Sequence, residues 1–462
     1  MISSKYLIAV LGLGGAGCAV GPDFQRPDNH LPATWSFAKH PASTAANPAE
    51  LARWWRRFHD PKLNSLVEQA VTANLDVKQA VARLYQVRAQ RQAAASSFWP
   101  WFNASGSEQD SNSNGSGPAS GHSRSYRGGL AASWELDLFG GNRRNLESAN
   151  ARLAAAAADL DGVRLSMAAE VALTYCQLRS IQDLISVARR NLATQQQSAQ
   201  ITQDRRGAGF ASDLDVANAD ALVANTKAAI PLLETSARQT AHAISVLLDR
   251  PPGDLVTMLS DTRPVPTASS AVPTGIPSDL LRRRPDIRSA EANAHAATAQ
   301  IGVAVADLFP KFSLTGSFTQ QSVKLSDWLS PAARASSYGP SFNWALFQGG
   351  NIEANIQMQQ ALRAEAVLAY RKTVLVALQE VEDSMVACSN DRKRHAALVE
   401  AVSANRIAVD LSLKLYTAGQ TDFINVLNAQ RSLLQSESEF SRSNLALATD
   451  LIALYKALGG GW

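Results

Sequence analysis

The sequence predicts a mainly α-helical protein with a β-barrel, built as a tandem repeat of long helical hairpins and β-hairpins. Residues 210 positions apart match along most of the chain, as Gly209 and Gly419 do. Two long stretches, 143–206 and 351–417, contain no proline and almost no glycine, which favours uninterrupted helices. Shorter segments before each of them alternate apolar and polar residues, which is the period of a strand with one apolar face.

The matches form an ordered series, so chance does not account for them. They indicate a duplicated domain, because ordinary solenoid repeats are only about 20–50 residues long. Further pairs at the spacing of 210 are Asp76 and Asp286, Glu170 and Glu380, Val216 and Val426, and Asn218 and Asn428. Leu138-Phe139 and Leu346-Phe347 are instead 208 apart, which predicts a two-residue deletion in the second β-hairpin.

The repeat divides the chain into consecutive parts. We expect a signal peptide at 1–17, an extended lipidated segment at 18–62, a first repeat at 63–249, a linker rich in Pro, Ser and Thr at 250–277, and a second repeat at 278–462. Each repeat is predicted to contain a helix (63–97 and 278–307), then a β-hairpin (about 102–138 and 312–347), then a long helical hairpin. Gly209 and Gly419 suit the left-handed residue that ends a helix, and Ser212 and Asp422 suit the N-cap of the next helix.

The N-terminus has the architecture of a bacterial lipoprotein signal. A basic Lys5, an apolar run and small residues precede Ala16-Gly17-Cys18, which matches the end of a lipobox. We therefore predict that Cys18 becomes the lipidated first residue of the mature chain. An ordinary cleavable signal followed by an incidental cysteine is the alternative.

Composition and motif content argue against several function classes. The formal net charge is +4 over 462 residues and the Lys and Arg residues are scattered, so no nucleic-acid-binding patch is indicated. The seven histidines show no metal-ligand spacing, and neither a CxxC pair nor a Walker loop is present. Cys176 and Cys388 lie in helical stretches and are expected to be buried free thiols. We therefore expect neither an enzyme nor a bound cofactor or metal.

The predicted strands imply an oligomer. No stretch reaches 18 uninterrupted apolar residues, so any membrane crossing would fall to the strands. Four strands per chain cannot close a barrel, whereas three chains would supply about 12, an even number typical of outer-membrane barrels. Tryptophans near the strand ends suit the aromatic girdle of such a barrel, and packing at helix–strand junctions is the alternative. These tryptophans are Trp99, Trp101, Trp134 and Trp344.

Several blocks of residues, spread over nearly the whole chain, carry a family resemblance. They are CAVGPDFQRP from Cys18 to Pro27; Trp54-Trp55, Phe58, Asp60-Pro61 and Leu63; Asn74-Leu75-Asp76, Ala80, Ala82-Arg83 and Arg88-Ala89; Arg284-Pro285-Asp286-Ile287 and Glu291; and Tyr416, Gly419, Val426-Leu427 and Ala429-Gln430-Arg431. In order and spacing these blocks resemble the TolC-type outer-membrane factors. Within that family they are similar to the NodT-like lipoproteins of resistance-nodulation-division efflux systems.

The resemblance implies a homotrimer with a 12-stranded outer-membrane β-barrel on a periplasmic α-barrel, which the linker encircles at its middle. Such a trimer is lipid-anchored in the outer membrane, extends into the periplasm, and docks with a periplasmic adaptor protein and an inner-membrane efflux pump. The implied function is a passive, gated exit duct for drugs or other small molecules. A type I protein-secretion duct and a non-transporting helical lipoprotein scaffold are the alternatives.

The resemblance also implies roles for residues near the two glycines. Asp215 and Tyr416 match positions that hold neighbouring coils shut. A carboxylate that stabilises a helix N-terminus is the alternative for Asp215, and simple packing is the alternative for Tyr416. Asn425 and Asn428 match the narrowing of the duct, where some members carry rings of Asp, and such a ring cannot form with Asn. Constriction and latch positions correspond to Ile424 and Arg431. The candidates for adaptor contact are the two turns, Gly209, Phe210, Ala211 and Ser212 in one and Gly419, Gln420, Thr421 and Asp422 in the other.

Overall fold

The computed structural model describes residues 19–28, 31–37, 51–113, 121–267 and 277–461. The predicted signal peptide and Cys18 lie outside the described residues, as do parts of the N-terminal segment and of the linker. Among the described residues, none of the helices combines the length and the hydropathy that a membrane span requires.

The elements follow each other in the same order in both halves of the chain. The first half contains a short 3₁₀ helix Trp54–Phe58, α1 Pro61–Ala73, α2 Leu75–Ser96, β1 Trp101–Ser113, β2 Gly121–Leu136, α3 Gly141–Gly207 and α4 Asp213–Leu247. The second half contains α5 Leu280–Arg283, α6 Pro285–Ala306, β3 Lys311–Ser322, β4 Arg334–Asn343, α7 Asn351–Thr417 and α8 Phe423–Ala457. Helices α3 and α7 are each 67 residues long, and α4 and α8 are each 35. The predicted tandem repeat of long helical hairpins and β-hairpins is therefore confirmed.

A single helix was predicted ahead of each β-hairpin, and this prediction is wrong. Each of these segments forms two helices, α1 and α2 in the first repeat and α5 and α6 in the second. Asn74 separates α1 from α2 with an extended ψ of 141°, and its side chain accepts hydrogen bonds from the backbone N–H groups of Asp76 (2.7 Å) and Val77 (3.3 Å). Arg284 separates α5 from α6, since a residue before proline is pushed toward extended geometry. The extended segment predicted at 18–62 is also wrong at its end, where the 3₁₀ helix and the start of α1 lie.

The predicted two-residue deletion in the second β-hairpin is wrong as well. The indole nitrogen of Trp134 donates to the carbonyl oxygen of Phe98, and that of Trp344 to Leu308, each at 3.0 Å. Trp134 and Trp344 are 210 residues apart, and so are Phe98 and Leu308. The spacing of 210 residues between the repeats is therefore unchanged across the second β-hairpin. Strands β2 and β4 end at Leu136 and Asn343, short of the predicted ends at 138 and 347. Both tryptophans thus pack at helix–strand junctions.

The described chain forms two compact units. The first contains the sheet and comprises Arg83–Ala157, Ser289–Arg371 and the N-terminal segment 19–28. The second contains the ends of the helical hairpins and comprises 31–37, 51–82, 158–267, 277–288 and 372–461.

The sheet of the first unit is antiparallel in the order β1-β2-β3-β4. Residues directly opposite in neighbouring strands share a face. One face is mainly apolar and carries the rows Phe102–Ala132–Gly316–Tyr338, Ala104–Leu130–Phe318–Ser336 and Leu136–Phe312–Phe342. The other face carries polar rows such as Ser133–Thr315–Gly339 and Ala131–Ser317–Ser337. The predicted alternation of apolar and polar residues is therefore confirmed.

The N-terminal segment lies against both repeats within the first unit. Buried Arg144 of α3 donates to the carbonyl oxygen of Val20 (3.1 Å) and forms an ion pair with Asp23 (2.7 Å). A Cβ on Gly302 of α6 would come within 2.6 Å of the Arg144 side chain and 2.9 Å of the Val20 carbonyl oxygen. The close approach of the segment to α6 thus requires glycine at this position.

In the second unit, the N- and C-terminal regions share an aromatic core. Trp54 is fully buried and stacks on Tyr455 of α8, with ring centroids 5.5 Å apart. Arg284, at the break before α6, forms ion pairs with Asp286 and with Glu380 of α7, each at 2.7 Å. These contacts fix the start of the second repeat against its long helices.

Candidate functional site

The candidate site comprises the two turns of the helical hairpins and the residues next to them. Gly209 and Gly419 have φ values of 81° and 76°, in the left-handed region that favours glycine. At the first turn the N–H of Phe210 donates to the Arg205 carbonyl oxygen (2.8 Å), and at the second the N–H of Gln420 donates to Leu415 (2.9 Å). Both turns are therefore Schellman motifs, as the two glycines predicted.

The helices after the turns begin differently. Ser212 forms a capping box, in which its hydroxyl oxygen accepts from the Asp215 N–H (3.1 Å) while the Asp215 carboxylate accepts from the Ser212 N–H (3.0 Å). Asp422 occupies the N-cap position of α8, but its side chain makes no capping hydrogen bond. The side chain of Asn425 instead donates to the hydroxyl of Thr421 (2.7 Å). Asp215 therefore stabilises the N-terminus of α4, which is one of the two interpretations given for this residue.

A buried apolar cluster lies beneath the turns and joins the two hairpins. Tyr416 is 3% exposed, and its ring packs on that of Phe423 with centroids 5.4 Å apart. Ala199, Ala219, Leu222, Val426 and Leu427 complete the cluster. The Tyr416 hydroxyl is buried and has no hydrogen-bond partner within the described chain. Tyr416 therefore packs in the core, and its polar atom remains unsatisfied.

The other gate candidates lie together on the open side of α8. Ile424, Asn425, Asn428 and Arg431 are all exposed in the isolated chain. Asn428 is four residues from Ile424 and three from both Asn425 and Arg431, so the four lie along one side of the helix. The buried side of the helix is formed by Phe423, Val426, Leu427 and Gln430. The structure therefore brings these four candidates into one strip.

The two turns expose different surfaces. Phe210 and Leu214 of the first hairpin are 74% and 69% exposed. Their counterparts 210 residues later are Gln420, which is polar, and Ile424. The first turn therefore presents the larger apolar surface of the two.

Sequence reasoning missed the polar contacts that join the two hairpins. The side chain of Gln430 donates to the Ser198 hydroxyl (2.7 Å), and that of Asn191 donates to the buried carboxylate of Glu437 (2.7 Å). Arg205 reaches the second turn and donates to the carbonyl oxygen of Thr417 (3.0 Å). These pairs are over 200 residues apart in sequence, so no local pattern could reveal them.

Burial disfavours the ionised form of two cysteines that lie away from the turns. Cys176 and Cys388 are free and buried, as predicted, and burial raises the pKa of their thiols to about 12 and about 11. The described residues contain no group of three His, Cys, Asp or Glu side chains placed to hold a metal ion.

A family comparison identifies the chain. The model of the outer membrane efflux protein family matches residues 66–249 and 276–460. The chain belongs to this family. It is an outer-membrane channel component of efflux systems and not an enzyme, as the sequence predicted.

Full-length relatives agree with this membership. Nodulation protein T of Rhizobium leguminosarum bv. trifolii is 32% identical over 99% of this chain and 98% of its own length. The toluene efflux pump outer membrane protein TtgF of Pseudomonas putida is 31% identical over 100% of this chain and 98% of its own. The pyoverdine export outer membrane protein OpmQ of Pseudomonas aeruginosa is 32% identical over 100% and 97%.

Solved structures confirm the fold. The outer-membrane channel OprN superposes with a TM-score of 0.87 at 38% identity, covering 96% of this chain and all of that one. CusC superposes with a TM-score of 0.84 at 26% identity, covering 96% and 100%. The predicted TolC-type fold of long helical hairpins with four strands in two repeats is therefore confirmed.

Proposed function

We propose that three copies of this chain form one passive, gated exit duct, which receives small molecules from an inner-membrane pump through a periplasmic adaptor. The observation that carries the proposal is the sheet, which is incomplete in one chain. Its outer strands β1 and β4 each pair on one side only. Exposed edges and exposed apolar faces both favour association with further copies.

The apolar face of the sheet supports a membrane location for it. Phe102, Leu130 and Phe342 on this face are 77%, 58% and 69% exposed. A face of this kind is stable against lipid, provided that every backbone group is hydrogen-bonded. Three sheets joined edge to edge would close a barrel of about 12 strands and leave no free edge.

The duplicated helices support the same assembly. In α3, Ala158 and Leu165 are 1% and 6% exposed, whereas their counterparts in α7, Leu368 and Leu375, are 65% and 58% exposed. Because the two faces are equivalent, the apolar face of α7 should also pack against protein. In the proposed trimer, the neighbouring copy would bury this face.

The turns are proposed as the gate and the docking end. Residues 209–212 and 419–422, which are exposed or partly exposed, are available to an adaptor, and Phe210 offers an apolar contact. We assign the gate to Asp215 and Tyr416 together with the strip Ile424, Asn425, Asn428 and Arg431. The strip has amide groups where a carboxylate ring would hold cations, so we expect weak cation block.

The cargo is proposed to be small molecules. Relatives include proteins named for toluene, antibiotic and pyoverdine export.

We further propose that Cys18 is lipidated and anchors the chain in the outer membrane. Replacement of Cys18 by Ser should abolish incorporation of radiolabelled palmitate, and continued labelling would refute this part of the proposal.

Single-channel recording tests the duct directly. The purified full-length protein should be a trimer and should give ion conductance in planar lipid bilayers. Deletion of its gene should raise accumulation of a dye such as ethidium in the native cells. An oligomer without conductance would support the scaffold alternative. Conductance with unchanged dye accumulation, together with loss of a secreted protein, would support the protein-secretion alternative.

A further inference from the structure

The two repeats differ in a short segment just before their turns. Arg205-Arg206-Gly207 in the first repeat corresponds to Leu415-Tyr416-Thr417 in the second. Positions that shape both turns match, as Gly209 does with Gly419 and Val216 with Val426. The divergence therefore places a cation on one hairpin and an aromatic ring on the other.

These divergent residues contact each other across the hairpins. The guanidinium carbon of Arg205 lies 4.8 Å from the centroid of the Tyr416 ring, within the range of a cation–π interaction. Nη1 of Arg205 donates to the carbonyl oxygen of Thr417, the last residue of α7. A cation at a helix C-terminus is also favoured by the helix dipole.

The neighbouring arginine acts within its own hairpin. Arg206 forms an ion pair with Asp213 at 2.8 Å, and both residues are exposed. Asp213 begins α4, so this pair links the two arms of the first hairpin. Arg206 thus has the same charge as Arg205 but makes a different connection, which makes it a matched control.

The Arg205 contact is incompletely satisfied. Nε of Arg205 and the hydroxyl of Tyr416 are both buried without a hydrogen-bond partner in the described chain. Unsatisfied buried polar atoms oppose the favourable stacking and capping interactions. These two unsatisfied atoms therefore reduce the net stabilisation that the contact provides.

We propose that Arg205 is a latch that holds the second hairpin of the same chain against the first and so favours the closed state of the duct. The proposal rests on the proposed function, in which the turn end opens and closes. Separation of the hairpins would remove Arg205 from the Tyr416 ring and from the end of α7. Arg205 acts through the position of α7 and α8, so it is a positioning residue for the gate strip.

Conductance of purified trimers in planar bilayers tests the latch. Arg205→Ala should raise the open fraction about fivefold, the change expected when a contact of cation–π strength is lost from a two-state equilibrium. Arg205→Lys keeps the charge but not the planar stacking group, and should give an intermediate value. Arg206→Ala should conduct like the wild type. Trimer formation, measured by light scattering, should be unchanged in all three.

A double-mutant cycle separates a latch from a general structural role. Tyr416→Ala should also raise the open fraction. The effect of the Arg205→Ala Tyr416→Ala variant should be smaller than the sum of the two single effects, because each single substitution already removes the shared Arg205–Tyr416 contact. Fully additive effects, or an Arg205→Ala trimer that conducts like the wild type, would overturn the latch. If the wild-type trimer itself gives no conductance, the proposed function fails instead. Should Arg205→Ala not assemble, Arg205→Lys decides: conductance equal to the wild type overturns the latch.

Discussion

Asp450 of α8 has a buried carboxyl oxygen without a hydrogen-bond partner in the described chain. Burial, followed by the nearby carboxylate of Asp391, raises its pKa to about 6. Cys388 of α7 also faces this group. The two helices of the second hairpin therefore enclose a carboxyl group that keeps its proton up to about pH 6.

This pair makes stability depend on pH. Since the folded pKa of Asp450 is raised, its contribution is fully present below about pH 4 and is lost as the pH rises through about 6. Asp450→Asn should remove this loss and stabilise the protein at pH 8 by about 1 kcal/mol, after allowance for partial exposure. Thermal unfolding at pH 5 and pH 8 measures the difference. The exposed carboxylate Asp410 provides a control, and an equal pH effect in Asp410→Asn would contradict the assignment.

Gly302 offers a second test at single-residue scale. Gly302→Val should destabilise the protein by about 1–3 kcal/mol, because the added carbons would overlap Arg144 and the backbone of Val20. Release of the N-terminal segment should appear as faster chymotryptic cleavage after Phe24. Gly207 lies in helix α3 with open space around its Cα, so Gly207→Ala should stabilise by about 0.5–1 kcal/mol. Equal effects of the two substitutions would refute this steric explanation.

At the scale of elements, the long helices and their turns were predictable and the shorter breaks were not. The lack of Pro and the scarcity of Gly predicted the extent of α3 and α7, and Gly209 and Gly419 predicted the turns, because these residues act through local backbone energetics. The break at Asn74 depends on a side-chain cap that competes with a continuous helix, which periodicity does not detect. The break at Arg284 was available from Pro285. Arg205 could not be assigned, since its partner depends on how two distant hairpins pack.

The N-cap residues of α4 and α8 should contribute unequally to stability. Ser212→Ala should lower the free energy of unfolding by about 1 kcal/mol, because it removes a capping box at the start of α4. Asp422→Ala, at the equivalent position of α8, should lower the free energy of unfolding by less, since the Asp422 side chain makes no capping hydrogen bond. Denaturant unfolding of the two variants measures the contrast. A larger loss of stability for Asp422→Ala would contradict this assignment of the capping hydrogen bonds.

At the scale of the whole molecule, the exposed face of α7 should control assembly. Leu368→Glu combined with Leu375→Glu places two carboxylates where a neighbouring copy is proposed to pack, and desolvation of these charges should prevent trimer formation. Leu375→Met keeps an apolar group and should assemble normally. Light scattering in detergent gives the mass of each variant. A full trimer with both glutamates would exclude this face from the interface.

The equal arm lengths of the two helical hairpins limit how this chain can change in evolution. Removal of seven residues from both α3 and α4 would draw the first turn back by about 10 Å, at about 1.5 Å of helix rise per residue. Arg205 would then lie two helical turns away from Thr417, and the duct would end in alternating long and short projections. Insertions and deletions in one half should therefore survive only when the other half changes by the same amount, so that the ancient duplication still governs the permitted lengths of the chain.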